Sequence, residues 1–367
     1  MLNHENAMTY TSIFITGGAG FIGLKLCKHL LNTHSKVKIF IFDNLHRQVH
    51  GDDAKFNPTH ENIHFIRGDV QDAKQLDTAI EQAKPQIIFH LAAETGTGQS
   101  YDEPVRYCSV NVGGTANLIE AIRKVGTVKK VILAGSRAVY GEGAYQDATG
   151  RVYGGLPRTS EEMAKGNFEV QIPQGAQAPF VAVASNSDLP PAPASVYAST
   201  KLMQEYLLTQ AAENSDWNCS ILRFQNVYGA GQSLNNPYTG VLSIFAKKLM
   251  NGESLAIFED GNIARDFVYA DDVVRALTLL LQSDLKNGEI IDIGFGEPST
   301  ILEVSSILSS LLNMDPQKNL VTGQFRAGDI RYACADISKA KKLLGWQPEI
   351  SISEGLNRLV EWVKVQN

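Results

Sequence analysis

Tyr197 and Lys201, four positions apart in the run YASTK, are spaced for proton transfer on one face of an expected helix. An unperturbed phenol titrates at about 10, so it works as a base at neutral pH only where a cation favours its anion. Lys201 can supply that charge from one helical turn away, and an oxidised nicotinamide would add to it. Ser136, 61 positions before Tyr197, lies just past a strand expected to end at Ala134. Its hydroxyl can donate a hydrogen bond to the substrate oxygen that the phenol deprotonates. A packed tyrosine and a snorkelling lysine give the same spacing, so the pair needs independent support.

That support comes from Ser12–Gly23, SIFITGGAGFIG, an apolar run that breaks into glycines at Gly17, Gly20 and Gly23. Ile13–Ile15 read as a buried strand, Gly17 and Gly18 as a tight turn, and Phe21–Leu31 as a helix with Ile22, Leu26 and Leu30 on one face. Gly20 would let backbone amides approach a pyrophosphate. Gly23 would let helix pack closely on strand, and the helix N-terminus carries partial positive charge. Asp43, twenty positions after Gly23 and at the end of the apolar run Val37–Phe42, can accept both hydroxyls of an adenosine ribose.

These groups need a scaffold, and the chain alternates accordingly. Strands are expected at Val37–Phe42, Ile63–Arg67, Gln86–Leu91, Lys130–Ala134, Cys219–Phe224, Ser254–Phe258 and Glu289–Ile293. Helices are expected at Asp72–Ala83, Val105–Val125, Val196–Ala212, Val241–Met250, Asp272–Leu281, Thr300–Leu312, Ser338–Leu344 and Ile352–Val365. Uniformly apolar strands between amphipathic helices imply an α/β doubly wound parallel sheet, with a smaller C-terminal α/β lobe. Ligands bind such sheets beyond the carboxyl ends of the strands. The expected cofactor contacts are therefore Gly17, Gly20, Phe21, Ile22, Gly23, Asp43, Asn44, Asp69, Val70, Leu91, Ala92 and Ala93, joined by Tyr197 and Lys201. Asp69 could equally cap the next helix. Residues 1–229 are read as the dinucleotide-binding domain, with 266–292 returning to it, and residues 230–265 and 293–367 as the substrate lobe. Tyr140–Ser195 breaks the rhythm with Gly, Pro, Ala and Gln, and residues 142–194 are read as an insertion without regular structure. It is a surface insertion, or it folds over the substrate pocket or a partner subunit.

Bulk properties exclude several classes. The net charge of −6 and the absence of a basic block argue against nucleic acid. Cys27, Cys108, Cys219 and Cys334 are scattered, which suits reduced thiols in a cytoplasmic protein. No apolar run approaches a membrane span, and the polar start MLNHENAMTYTS has no signal core. All eight histidines fall in the first 90 residues, so acid–base chemistry further on must use other side chains. His46 and His50 are spaced i,i+4 but have no third ligand; they read as solvated loop residues, and no metal is expected.

The set TGGAGFIG, DNL, GDV, HLAA, NVGGT, SRAVYG, YASTK, RFQNVYGAGQ, RDFVYADDV and RAGDIR with LGWQP resembles the extended short-chain dehydrogenase/reductase family. Within it, the match is to the nucleotide-sugar epimerase/dehydratase branch. The resemblance implies a Rossmann fold, a tightly held NAD and a Ser136–Tyr197–Lys201 catalytic set. It also implies a nucleotide-diphosphate sugar bound by Ser136, Asn226, Arg265, Arg326 and Asp329, and a homodimer through Val105–Val125 and Val196–Ala212. Members resembling 4,6-dehydratases carry Asp-Glu after the catalytic serine or threonine, where this chain has Arg137 and Ala138. Members that epimerise C3 and C5 place a cysteine in this segment, and none is present. What remains is inversion at C4, and the motifs look most like dTDP-L-rhamnose 4-epimerase-type and UDP-galactose 4-epimerase-type proteins, the former acting on 6-deoxyhexoses. The alternatives are an NAD(P)H-dependent 4-keto reductase and a non-catalytic nucleotide-sensing module. Asp43 argues against NADPH, whose 2′-phosphate it would repel, although Arg47 could soften that objection.

Overall fold

A computed structural model describes residues 10–52, 54–171, 173–234, 240–326 and 328–366. The polar start through residue 9 with His4, residues 235–239, and Ala327 lie outside them. Seven strands form one sheet: β1 (Ser12–Thr16), β2 (Lys38–Asp43), β3 (Ile63–Arg67), β4 (Ile87–His90), β5 (Lys130–Ser136), β6 (Asn218–Phe224) and β7 (Glu289–Ile293). Their order is β7-β6-β5-β4-β1-β2-β3, and every pairing is parallel. The main helices are α1 (Phe21–Thr33), α2 (Ala73–Ala83), α3 (Gly114–Val125), α4 (Val196–Ala212), α5 (Val241–Met250), α6 (Ala270–Leu279), α7 (Ile301–Leu311) and α8 (Ile352–Gln366).

The strands are apolar throughout because both faces of the sheet are covered. Ile13 and Ile15 meet Leu26 and Leu30 of α1 and Val273 and Leu277 of α6 on one face. Phe14 meets Leu76 and Ile80 of α2 and Leu118 and Ile122 of α3 on the other. Leu26 and Leu30 are fully buried, which stabilises the α1 packing by about 1.5–3 kcal/mol for each side chain. A separate core around Leu242, Leu249, Val304, Leu308, Leu356 and Val363 joins α5, α7 and α8 into the smaller lobe. Strand order reverses between β1 and β4, which opens a crevice beyond their carboxyl ends.

Several expected elements are corrected. Ser136 is the last residue of β5 rather than a loop residue beyond it. The expected helix Val105–Val125 is broken into Pro104–Tyr107, a wider π-helical turn Cys108–Gly113, and α3. That turn places Asn111 so that its side chain holds Glu94 N at 2.8 Å, Glu94 O at 3.1 Å and Thr200 Oγ1 at 2.9 Å, a local need that helical periodicity does not reveal. The strand expected at Ser254–Phe258 shortens to Ala256–Ile257. Asp72, not Asp69, caps α2, accepting from Lys74 N and Gln75 N.

The insertion is not structureless. Ala144–Gln146 pairs antiparallel with Val152–Gly154 and with Val181–Val183, and Thr159 caps a short helix Ser160–Ala164. Beyond the third strand, Ser185 N donates to Cys334 O and Asp336 N donates to Ser185 O, both at 2.9 Å. This latches the insertion to the C-terminal lobe. Polar and turn-forming composition hid the strands, because each is three residues long and too short to show a period.

Candidate active site

The crevice begins at the glycine turn. Gly17 has φ +68°, and a Cβ there would sit 2.7 Å from Ala92 N, so only glycine allows β1 to close against the end of β4. A Cβ on Gly23 would meet Gly18 O at 2.5 Å, so the helix is seated directly on the turn. Gly20 begins α1 without a side-chain cap, leaving the amides of Phe21 and Ile22 at the mouth of the turn. Asp43 is buried, its Oδ2 accepting from Ala19 N at 3.0 Å and its Oδ1 from Leu45 N at 2.8 Å. A fixed carboxylate thus lies beside an open helix N-terminus, which is the donor and acceptor set that an adenosine ribose and a pyrophosphate require. The residues fit NAD.

The neighbouring expected contacts gather on the same rim. Asn44 Nδ2 donates to Asp69 Oδ2 at 2.9 Å, Val70 is buried against Gly114, and Leu91 N donates to Thr16 O at 3.1 Å. Ala92 and Ala93 follow, half-buried. His46 and His50 are half-buried rather than solvated: His46 Nδ1 accepts from Gln48 N, and His50 Nε2 is 3.9 Å from Asp43 Oδ1.

Across the crevice, β5 ends in Ser136 and α4 begins at Ser195, whose hydroxyl caps the helix at Ala198 N. Tyr197 therefore sits in the first turn of α4, and Lys201 in the second. Burial raises the Tyr197 phenol, while a hydrogen bond with Ser136 and the charge of Arg137 pull it back. Its ring lies edge-to-face with Tyr107, whose hydroxyl holds Thr95 O at 2.7 Å and Gly96 O at 3.0 Å. Lys201 is buried and pushed down to about 8, against the pull of Glu205. Its Nζ donates to Gln204 Oε1 at 2.5 Å. Gln204 Nε2 in turn donates to Thr115 Oγ1 at 2.8 Å and lies 3.3 Å from His90 Nε2. Burial and the Lys201 charge push His90 down to about 3, so it is a neutral strut between Thr16 and Thr115.

The Arg137 charge lowers the phenol, and Lys201 is held by Gln204 one turn further along α4. Spacing pointed to Lys201 and gave no sign of Arg137, which follows β5 rather than sharing the α4 face. Burial and repulsion by Arg265 lower Arg137 to about 10, with Asp329, Tyr197 and Glu142 opposing. The charges that act on it come from the C-terminal lobe, from α4 and from the insertion.

Of the four residues expected toward the nucleotide end, the structure pairs Arg265 with Asp329 directly. Arg265 Nη2 donates to Asp329 Oδ1 at 2.6 Å and to Ile330 O at 2.7 Å. Burial raises Asp329, but Arg265 and the Ile330 amide hold it below the usual carboxylate range. Asn226 is half-buried and its backbone N donates to Asp266 O at 2.9 Å. Arg326 stacks over Phe258 at 4.9 Å. Sequence reasoning missed Gln204, Asn111 and His90 as supports; the last two stand in NVGGT and HLAA, but nothing local said what they touch.

Known proteins match this arrangement. The family model described as GDP-mannose 4,6 dehydratase matches residues 14–151, and that of the NAD dependent epimerase/dehydratase family matches residues 172–294. A dTDP-L-rhamnose 4-epimerase of Burkholderia thailandensis is 39% identical over 355 residues, covering 96% of this chain and 94% of that protein. The structure of a UDP-glucose 4-epimerase with UDP-glucose from Thermotoga maritima superposes with a TM-score of 0.78 at 29% identity, over 96% of this chain and 99% of that one. A Thermus thermophilus UDP-glucose 4-epimerase in complex with NAD gives 0.76 at 26% identity, over 96% and 98%.

Proposed function

The chain belongs to the NAD-dependent epimerase/dehydratase family, and from that premise we propose that it is a nucleotide-sugar 4-epimerase. The observation that carries this is the Ser136 hydroxyl at the end of β5 acting on the Tyr197 phenol at the start of α4 and lowering it, opposite the glycine turn and Asp43. NAD, when bound, supplies the acceptor and donor of a hydride at the sugar C4. Asp43 holds its adenosine ribose, and the amides at the start of α1 hold its pyrophosphate. Ser136 donates to the C4 oxygen and fixes it beside the phenol. Tyr197 takes the C4 hydroxyl proton and returns it after the sugar has turned over in the site. Lys201, braced by Gln204, and Arg137 keep positive charge near the phenol and so favour its anion. Elimination of water would need an acid and a base where Arg137 and Ala138 stand, so dehydration is disfavoured even though a dehydratase model matches this half of the chain.

Asn226, Arg265, Arg326 and Asp329 are assigned to the nucleoside diphosphate, guanidinium forks suiting phosphates and a carboxylate suiting ribose hydroxyls. In this division residues 1–229 with 266–292 serve the cofactor, and residues 230–265 with 293–367 serve the nucleotide. The sugar favoured is a dTDP-linked 6-deoxyhexose, by likeness to the Burkholderia protein. The working unit is a homodimer through the helical stretch 105–125 and α4, where Val105, Met203 and Tyr206 are 77%, 43% and 48% exposed. A cytoplasmic setting suits the four free thiols, and among the described residues no helix is long and apolar enough to cross a membrane.

The test is to incubate the purified protein, without added cofactor, with dTDP-L-rhamnose and with UDP-glucose and to follow C4 inversion by NMR. Interconversion of either sugar supports the assignment. Strict dependence on added NADPH would make the protein a reductase instead.

A further inference from the structure

The insertion and the nucleotide end of the crevice meet at one side chain. Arg158, in the insertion, is buried and its donors reach three separate segments. Its Nε donates to Glu142 Oε1 at 3.0 Å, within the insertion. Its Nη1 donates to both Glu259 carboxylate oxygens at 2.9 Å and to Phe168 O at 3.1 Å. Its Nη2 donates to Asp329 O at 2.8 Å. The Asp329 carboxylate on that same residue is the one paired with Arg265. Two residues on, Arg331 N donates to Glu142 Oε2 at 2.7 Å, and Arg331 Nη1 reaches Glu259 Oε2 at 3.2 Å.

The segment 328–331 is therefore gripped at two backbone atoms by insertion side chains: the carbonyl of Asp329 by Arg158 and the amide of Arg331 by Glu142. Glu259 completes the grip. It is fully buried and has φ +53°, a left-handed conformation that a glutamate keeps only where its surroundings over-determine it. Here they do, through Glu259 N to Gln324 O at 2.7 Å and Gly323 N to Glu259 O at 3.1 Å.

We propose that Arg158 is a positioning residue for the nucleoside diphosphate: through the Asp329 carbonyl it sets the backbone that presents Asp329 and its partner Arg265, so that the insertion is a fixed brace of the nucleotide subsite. This rests on assigning Asp329, Arg265 and Arg326 to the nucleotide. Arg158 reaches its three segments from three separate nitrogens spread over a plane, whereas the three donors of an ammonium share one nitrogen and cannot span those acceptors together. Arg158→Lys keeps the charge beside Glu142 and Glu259 and loses the third direction, the one to Asp329.

The experiment is calorimetric titration of the NAD-loaded protein with dTDP and with UDP, alongside steady-state kinetics. Arg158→Lys is expected to raise the Kd of whichever diphosphate the parent binds, and the KM of the corresponding sugar, about tenfold, with kcat changed less than threefold and NAD content unchanged. Glu142→Gln, nearly isosteric, should move the same quantities in the same direction by a smaller factor and serves if the lysine variant does not fold. Diphosphate affinity within twofold of the parent in the variant that folds overturns the proposal, as does a fall in kcat with KM unchanged. Asp329→Asn separates the two layers. If it weakens diphosphate binding while Arg158→Lys does not, the brace is wrong and the subsite stands. If it leaves binding unchanged, or the parent binds neither diphosphate, the subsite assignment itself fails.

Discussion

Two buried polar clusters lie within this molecule and behave in opposite ways. Around Ser136, Tyr197 and Lys201, ionisable groups are buried with few counter-charges, so burial decides: the phenol moves up, Lys201 down to about 8, His90 down to about 3. Around Arg158, the charges face one another. Burial works against the Arg158 and Arg331 cations, yet Glu259 and Glu142 hold Arg158 up and Asp260 and Glu169 hold Arg331 up, while Arg331 keeps Asp260 well below the carboxylate range. Glu142 is the exception in this cluster, pushed up by burial in spite of Arg158 and the Arg331 amide. Burial without a counter-ion brings a group toward neutrality, where it can exchange a proton; burial with one locks a charge in place as architecture. The first cluster is suited to chemistry and the second to geometry.

The largest effect should come from the first cluster. Tyr197→Phe removes the exchangeable proton and is expected to lower kcat by about 1000-fold or more, while the variant retains NAD and melts with the parent. Activity within tenfold of the parent would show that the phenol is not the base. The second cluster should respond in the other currency. Arg158→Ala strands Glu142 and Glu259 without their partner, which is expected to cost roughly 3–5 kcal/mol of stability, seen as a clear fall in the calorimetric melting temperature. An unchanged melting temperature would mean that the cluster locks nothing.

A buried carboxylate between these extremes sharpens the contrast. Asp292 accepts from the Tyr140 hydroxyl at 2.9 and 3.0 Å, and burial raises it to about 7 despite Arg223 and that hydrogen bond. Between the free-aspartate value of about 4 and about 7 the folded protein holds a proton that the unfolded chain has lost, so stability falls as pH rises through that window. Asp292→Asn, which carries no charge, should gain on the parent by about 2–4 °C in melting temperature between pH 5 and pH 8. No pH dependence in that difference would place Asp292 with the locked charges.

Much of the site was readable locally. The glycine turn, Asp43 and the Tyr197–Lys201 pair are read from spacings within one strand–turn–helix unit or one helix, and the structure sets these groups around one crevice. The insertion was misjudged because its strands are three residues long and its order comes from partners far along the chain, such as Cys334 for Ser185 and Glu259 for Arg158. Arg137 was read only as the absence of a dehydratase acid; its nearness to the phenol and to Arg265 depends on the meeting of β5, α4 and the C-terminal lobe.

The amino-acid sequence alone determined the alternation of buried strands and helices, the turn that only glycine can make, and the residue types able to exchange a proton. These depend on periodicity and backbone sterics acting over a few residues. Tertiary structure decided which charges are paired and which are left to titrate. A guanidinium or carboxylate takes its state from whatever the fold brings within about 3 Å of it, and for Arg158, Arg265 and Lys201 no local pattern says what that will be.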